Sequence, residues 1–494
     1  MTLRGVLALW WIALAAPLSP SSAWDGDGAL SMSVVNKVEY RRYSLDARRE
    51  EAFRNRLDVQ GYLGALTGWI RYEAVQVSDA SFYDPFSLPG LDAGDTRVER
   101  SGVPMGALTM EQGAFRVTAG HFSEVLGRGM LLAVFEDEEL NFDSRLQGAS
   151  IRWDHASGSA RVLAGQHEGN RFRALRFDAE SLGPLQLGGG MVEAWGSGQN
   201  TDVRDREQLF GATAELSGAT GTLFAEHVVR TFPNGADAGH GSYASVSGVM
   251  GEFSLEAEAR DYERFEFEYH DPPSVLFQHQ WTLANRVIGV IQTDIGNDDV
   301  QGWLTEGTYS PGLFTTLLGA YGVTRSHDGD REYREGYAEG KTDWQERVFA
   351  TVAAGETEFD FGPRFTEILS GYGEVVAEFG EVQSLAVALE WSEAVESDAT
   401  TADFQYPREW RDRILNLTYA RSPWLTMTLS HEDTTDEEQE RSDWLFLQAE
   451  IMLDSGNDVV LTAGSERGGW KCSGGVCWYE PEFQGVKVKW VSRF

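Results

Sequence analysis

The stretch FQGVKVKWVSRF, Phe483–Phe494, decides how the remainder of the chain is read. Val486, Val488, Trp490, Ser492 and Phe494 fall on one set of alternate positions, and Lys487, Lys489, Val491 and Arg493 on the other. A period of two describes a strand with an apolar face and a polar face. It ends on an aromatic residue that carries the free carboxylate. An amphipathic edge strand of any β-protein would have the same alternation, so the upstream chain must discriminate.

Upstream, the alternation repeats. Leu445, Leu447, Ala449, Ile451 and Leu453 share one face against Gln448 and Glu450; Leu425, Met427 and Leu429 alternate with Thr426, Thr428 and Ser430. Leu385, Val387, Leu389 and Trp391 do the same. Earlier segments of this kind include Ser33–Leu45, Gly68–Val77, Phe115–Phe122, Ala160–His167, Leu223–Val229 and Leu255–Tyr262. Trp410, Tyr419, Trp424, Trp444 and Trp490 stand near strand ends, where interfacial girdles are expected. Reading backwards, long connections (Gly468–Phe483, Glu432–Asp443, Glu393–Trp410) alternate with short ones, the habit of membrane barrels. The rhythm is lost upstream of Gly355, where Asp328–Trp344 reads as a long loop. At roughly two dozen residues per strand the chain holds about 18–22 strands. The expected fold class is all-β: a transmembrane, antiparallel, up-and-down β-barrel occupying residues 24–494.

The N-terminus reads as a secretory signal peptide over residues 1–23. Arg4 precedes an apolar run from Val6 to Ala16, Pro17 and Pro20 break it, and Ser21-Ser22-Ala23 offers small residues for cleavage. That run is too short to span a membrane. The net charge of −36, with lysine only at Lys37, Lys341, Lys471, Lys487 and Lys489, excludes a nucleic-acid partner, which would need a positive face. A mean hydropathy of −0.33 fits a barrel as well as a soluble chain, because only alternate residues face lipid.

The terminal strand resembles that of Gram-negative outer-membrane β-barrels, whose final Phe is part of the signal read by the barrel-assembly machinery. Ser492 departs from that pattern, which usually has a second bulky apolar residue there. The resemblance implies that Trp490 and Phe494 act as an assembly signal, that the protein sits in the bacterial outer membrane, and that outer-membrane lipid and lipopolysaccharide surround it. AGHFSEVLGRGMLLAVFEDEELNFDSRLQG, Ala119–Gly148, together with the closing ERGG…CSGGVC…PEFQG segment, resembles an uncharacterised group of porin-like bacterial outer-membrane barrels. That group implies the fold and brings no activity with it.

Ala119–Gly148 is also where the strand rhythm fails. A Gly127-Arg128-Gly129 bend leads into the apolar run Met130–Phe135 and four acids, Glu136, Asp137, Glu138 and Glu139. Two readings stand: a solvated loop, or a segment over 123–147 inserted into the lumen. In the second reading Arg128 and the four acids form a candidate pore constriction that favours cations. Cys472 and Cys477, the only cysteines, flank Gly474-Gly475 in an exported chain and are read as a disulfide. No zinc set surrounds them, and Asp25–Gly28 and Asn297–Asp299 supply too few ligands for a calcium site. The nine histidines are scattered and no HExxH, GxSxG or phosphate-loop motif occurs, so no catalytic residue, metal or cofactor is expected.

The expected function is therefore that of a porin-like channel for passive passage of small hydrophilic solutes or cations. The alternative is a closed or plugged barrel that serves as a scaffold or partner-binding surface protein without transport. Whether Glu124–Arg145 crosses the lumen separates the two.

Overall fold

The computed structural model describes residues 30–494 apart from 46–47, 79–97, 139–141, 181–182, 197–205, 233–237, 266, 268, 280, 288–297, 345–346, 363, 399–406, 474–475 and 481. Twenty-four strands, beginning with Ser31–Leu45 and ending with Phe483–Arg493, form one antiparallel sheet. It closes first strand on last, in the register Lys37↔Val491 and Tyr40↔Val488. Reciprocal main-chain bonds between Val34 and Phe494, at 3.0 and 2.8 Å, complete the seam. A closed sheet leaves no unpaired edge, the condition for strands to cross a membrane.

The strand number exceeds the 18–22 expected. Connections at one end of the barrel are very short: 64–65, 113–114, 156–157, 251–252 and 455–456 each join two strands directly. Gly64, with φ of +57°, supplies the left-handed backbone such a tight turn needs. Each strand with its share of turn thus consumes less chain than assumed. The lost rhythm has a second cause. Asp328–Trp344 is not a long loop: Arg331–Trp344 is a strand, and only 327–330 connects it to its predecessor. Its inward positions Tyr333, Glu335, Tyr337 and Glu339 are polar-tipped, and its outward ones include Gly336, Ala338 and Gly340, so it carries no apolar stripe. With it restored, short turns occupy one end throughout and the longest connections the other.

Side chains alternate as period two requires. In Asp443–Asp454, Leu445 and Leu447 are exposed on the outer face, while Trp444 and Phe446 point inward. Two girdle assignments are thereby corrected. Trp444 is buried in the lumen with its indole N–H donated to Glu482 at 2.8 Å, and Trp410 packs inward against the core. Trp424 is exposed, and Tyr419 lies beside Phe379 with ring centroids 6.4 Å apart, as a girdle would have them.

The hydrophobic core sits inside the barrel. Inward side chains such as Phe172, Val192, Leu209, Val228, Tyr262 and Ile368 form one cluster with residues from two connections, 123–145 and 264–299. Both leave the long-loop end and turn back into the lumen.

Candidate functional site

The first insert begins at Glu124–Leu126, which pairs with Leu132–Val134 in a small hairpin. Gly127 and Gly129, with φ of +70° and +86°, make the bend between them. Neither tolerates a Cβ: one at Gly127 would strike the Glu226 carboxylate, and one at Gly129 the Asp271 carbonyl. Met130, Leu131, Leu132 and Val134 are fully buried, and Leu131 lies directly over Gly211 of the inner wall. Burial of side chains of this size contributes about 1.5–3 kcal/mol each. The Arg128 main-chain N–H donates to the wall carboxylate of Glu226 at 2.8 Å.

The second insert was missed in the sequence. Its base is tied down by Asp298 and Asp299, whose carboxylates accept the main-chain N–H groups of Phe265 and Arg264 at 2.5 and 2.9 Å. These two residues, considered above for calcium, act as structural caps. Phe265, Phe267, Tyr269, Phe277 and Trp281 are all buried. The Tyr262 hydroxyl donates to the Pro273 carbonyl at 3.0 Å, and Asn170 donates to the Tyr269 hydroxyl at 2.8 Å. A short helix over 282–287 follows. The available signal was a segment rich in aromatics and broken by Pro272-Pro273, where a strand could not continue.

The two inserts are joined to each other. The Ala133 N–H donates to the Tyr269 carbonyl at 2.8 Å, and the Asp271 N–H to the Gly129 carbonyl at 3.1 Å. Each is also clamped to the wall by charge, and the signs are opposite. Glu136 meets Arg56 at 3.0 Å, Arg145 at 3.0 Å and both terminal nitrogens of Arg71. Glu138 meets Arg56 at 2.7 Å and Lys37. The second insert presents Arg286 and uncharged or ring donors to wall acids. His279 contacts Glu335, and Arg286 holds both carboxylate oxygens of Glu432 at 2.5 and 3.1 Å. The main-chain N–H of Leu283 donates to Glu390 at 2.9 Å. Arg467 adds a bond to Asp412 at 2.6 Å and one to Glu432 at 3.2 Å. Glu432 is buried between Arg286 and Arg467, so removal of one of these cations would leave its charge poorly compensated.

Electrostatics differ between the inserts. Burial alone would push the Glu138 carboxyl up, but hydrogen bonds from Lys37 and Arg56 bring it down to about 2. Burial lowers His270 to about 3, assisted by the charge of Arg230, and keeps that imidazole neutral within its aromatic surroundings. Burial raises Asp271 to about 6.

The residues read from the sequence as a candidate constriction are not all brought together. Glu136 and Glu138 lie together against basic wall residues. Arg128 does not face them; its guanidinium sits 4.3 Å from the Phe224 ring centre and 5.6 Å from that of Tyr243. Glu139 lies outside the described residues, as does the 1–23 segment. Cys472 and Cys477 are directly opposed partners in a two-stranded hairpin, Gly469–Ser473 with Val476–Glu480, and their side chains lie outside the described ones. Trp490 is on the outward-pointing set, between Val38 and Val459, and Phe494 is exposed.

Two cavities flank the inserts. One, of about 420 Å³, lies between Glu136–Glu138 and the wall at Arg54, Arg71 and Met105. The other, of about 370 Å³, runs between the 282–287 helix and a wall of Glu374, Asn416, Thr418, Thr428, Ser430 and Glu466. Among the described residues no group of three or more metal-binding side chains occurs.

This fold, with its occupied lumen, is that of an outer-membrane β-barrel. Residues 28–173 and 396–494 match a family model described as a family of unknown function (DUF6029). No curated protein matches the chain. Among solved structures, an E. coli P pilus tip assembly intermediate, PapC-PapD-PapK-PapG in the second conformation, is similar at 10% identity and a TM-score of 0.55; 96% of this chain covers 62% of that one. The P pilus usher (PapC) translocation pore aligns at 11% identity and a TM-score of 0.48, over 94% of this chain and 98% of that one. Pseudomonas aeruginosa OccK11 (OpdR) aligns at 11% identity and a TM-score of 0.39, over 79% and 96%. At such identities the likeness is one of fold.

Proposed function

We propose that the protein is an outer-membrane channel that passes small hydrophilic solutes along one side of a built-in plug. The observation that carries this reading is the division of the inner wall. Where the first insert packs, the wall is mainly apolar, with Phe172, Val192, Leu209, Phe224 and Val228 turned inward around the single carboxylate of Glu226. Beside the 282–287 helix the inward residues are Asn416, Thr418, Thr428 and Ser430, which line a cavity. An inner wall that met only packed protein would have no need of these groups, whereas a water-filled path requires them. The acids of the first insert are matched by Lys37, Arg56, Arg71 and Arg145, so under this reading they hold the plug and impose little cation preference.

The outer apolar band would face outer-membrane lipid, with lipopolysaccharide around the long-loop end, and Trp490 and Phe494 would be read by the barrel-assembly machinery. A Cys472–Cys477 disulfide would close the hairpin in the last long loop. No chemistry is asked of the protein.

The test is conductance of the purified, folded protein in a planar bilayer, with reversal potentials measured in a salt gradient. Small, steady channels with weak ion preference are expected, and replacement of Glu136, Asp137 and Glu138 by Gln should leave the preference unchanged. Silence from well-folded protein would overturn the channel reading in favour of a closed scaffold. Cation selectivity lost in the Gln variant would restore those acids to a constriction.

A further inference from the structure

We propose that the two inserts form a single gating unit, so that releasing the charge clamp on either one loosens both. The coupling is mechanical and holds whether or not the barrel conducts.

Three observations carry it. The inserts share main-chain hydrogen bonds, Ala133 to Tyr269 and Asp271 to Gly129. They share one apolar core, in which Leu126, Met130, Leu132, Phe265, Phe267 and Tyr269 pack with the same wall. Their polar anchors lie at opposite extremities and carry opposite signs. Glu136 and Glu138 reach basic residues on the second and third strands, Arg48–Leu63 and Leu66–Val77, with Lys37 on the first. His279 and Arg286 reach Glu335 and Glu432 on Arg331–Trp344 and Leu425–Thr434. Loops held only by their own anchors could open one at a time. Loops that share a core and a hydrogen-bonded seam lose that packing together, because the apolar interior is close-packed and has no intermediate arrangement.

The physical warrant for such coupling is a common element whose state both anchors bias. Hydrogen exchange read by mass spectrometry on the full barrel in detergent measures this without reference to ion flow. In Arg286→Gln, peptides from 124–134 in the first insert should exchange faster along with those from 264–279. The acceleration should be about tenfold or more, the size expected for loss of a charged hydrogen bond. The reciprocal variant, Glu136→Gln with Glu138→Gln, should accelerate 269–279 as well as 124–134. It supplies the same reading if Arg286→Gln does not assemble. Wall peptides such as 209–216 should keep their protection in both, which establishes that the barrel is intact. Acceleration confined to the insert that carries the substitution would overturn the proposal. So would unchanged exchange in both inserts.

Discussion

The Asp271 main-chain N–H donates to the Gly129 carbonyl at 3.1 Å, and a methyl group on Gly129 would collide with the Asp271 carbonyl. The two residues belong to different inserts, separated by eight of the barrel's strands, and their contact closes the seam between them. Gly129→Ala adds that collision to an unfavourable φ of +86° and should cost the plug about 1–3 kcal/mol. Faster hydrogen exchange in both inserts is expected, with the barrel still folded. Unchanged exchange at 124–134 and 269–279 would remove the seam from the account.

The outward and inward faces are separable by substitution. Leu447 is exposed on the outer surface at mid-strand, whereas Gln448 faces the lumen and is hydrogen-bonded to Glu450 at 2.8 Å. Leu447→Arg puts a charge in lipid and should cost about 2–4 kcal/mol, with poor assembly. Gln448→Arg should assemble normally. Heat-modifiable mobility on gels reads both, and equal tolerance would contradict the facing.

Much of the barrel was legible in the sequence because a strand between lipid and water must alternate. Leu445 and Leu447 against Gln448 reported their faces directly. Strands with polar-tipped or small residues on both faces did not, and Arg331–Trp344 was read as a loop for that reason. The first insert betrayed itself through Gly127-Arg128-Gly129 and an apolar run with no period. The second did not, although Phe265, Phe267 and Tyr269 are equally buried, because three aromatics at a spacing of two imitate a strand. Pairing partners were illegible altogether. Nothing in the run Glu136–Glu139 names Arg56 or Arg71, which lie far away in sequence and arrive only through the closure of the sheet.

Asp271 makes the plug sensitive to pH. Its carboxyl is raised by burial from the usual 3.8 to about 6, so the folded plug prefers the neutral form. That contribution is complete below 3.8 and is lost as pH rises through 6. Glu138 runs the other way: its contribution is complete above 4.5 and is lost only as pH falls through about 2. Between about pH 5 and about pH 7.5 Asp271 therefore titrates while Glu138 stays ionised, for a change of about 1.4 kcal/mol. Exchange of the 269–279 peptides, corrected for intrinsic rate, should be slower at the lower pH. Asp271→Asn should flatten the dependence, and an unaltered slope would assign it to another group.

The last residue has two separable roles. Its main chain bonds Val34 in both directions at the seam, while its ring is exposed. Phe494→Ala keeps the first and removes the second. If the ring is read during assembly, the variant should accumulate less in the outer membrane, yet show the parent's melting temperature once folded in detergent. Normal accumulation would leave Phe494 with the structural role alone.

The polar side of the lumen provides the sharpest test of passage. Thr418 and Thr428 face each other across adjacent strands, with hydroxyl oxygens 3.0 Å apart, on the wall of the cavity beside the 282–287 helix. Both line the same cavity as Arg286 and Glu432, on the wall opposite the helix, and neither belongs to the inserts' shared core. Thr418→Trp and Thr428→Trp should therefore leave the plug in place and narrow only the path beside it. Indole rings occupy a sizeable share of a 370 Å³ space, so single-channel conductance should fall by roughly a third or more. Replacement of Thr118, whose hydroxyl is paired with Thr109 at 3.0 Å on a distant strand pair, by Trp is the control and should conduct as the parent does. Equal conductance in all three variants would place the route elsewhere in the lumen, because a path through this cavity cannot accommodate two indole rings without losing cross-section.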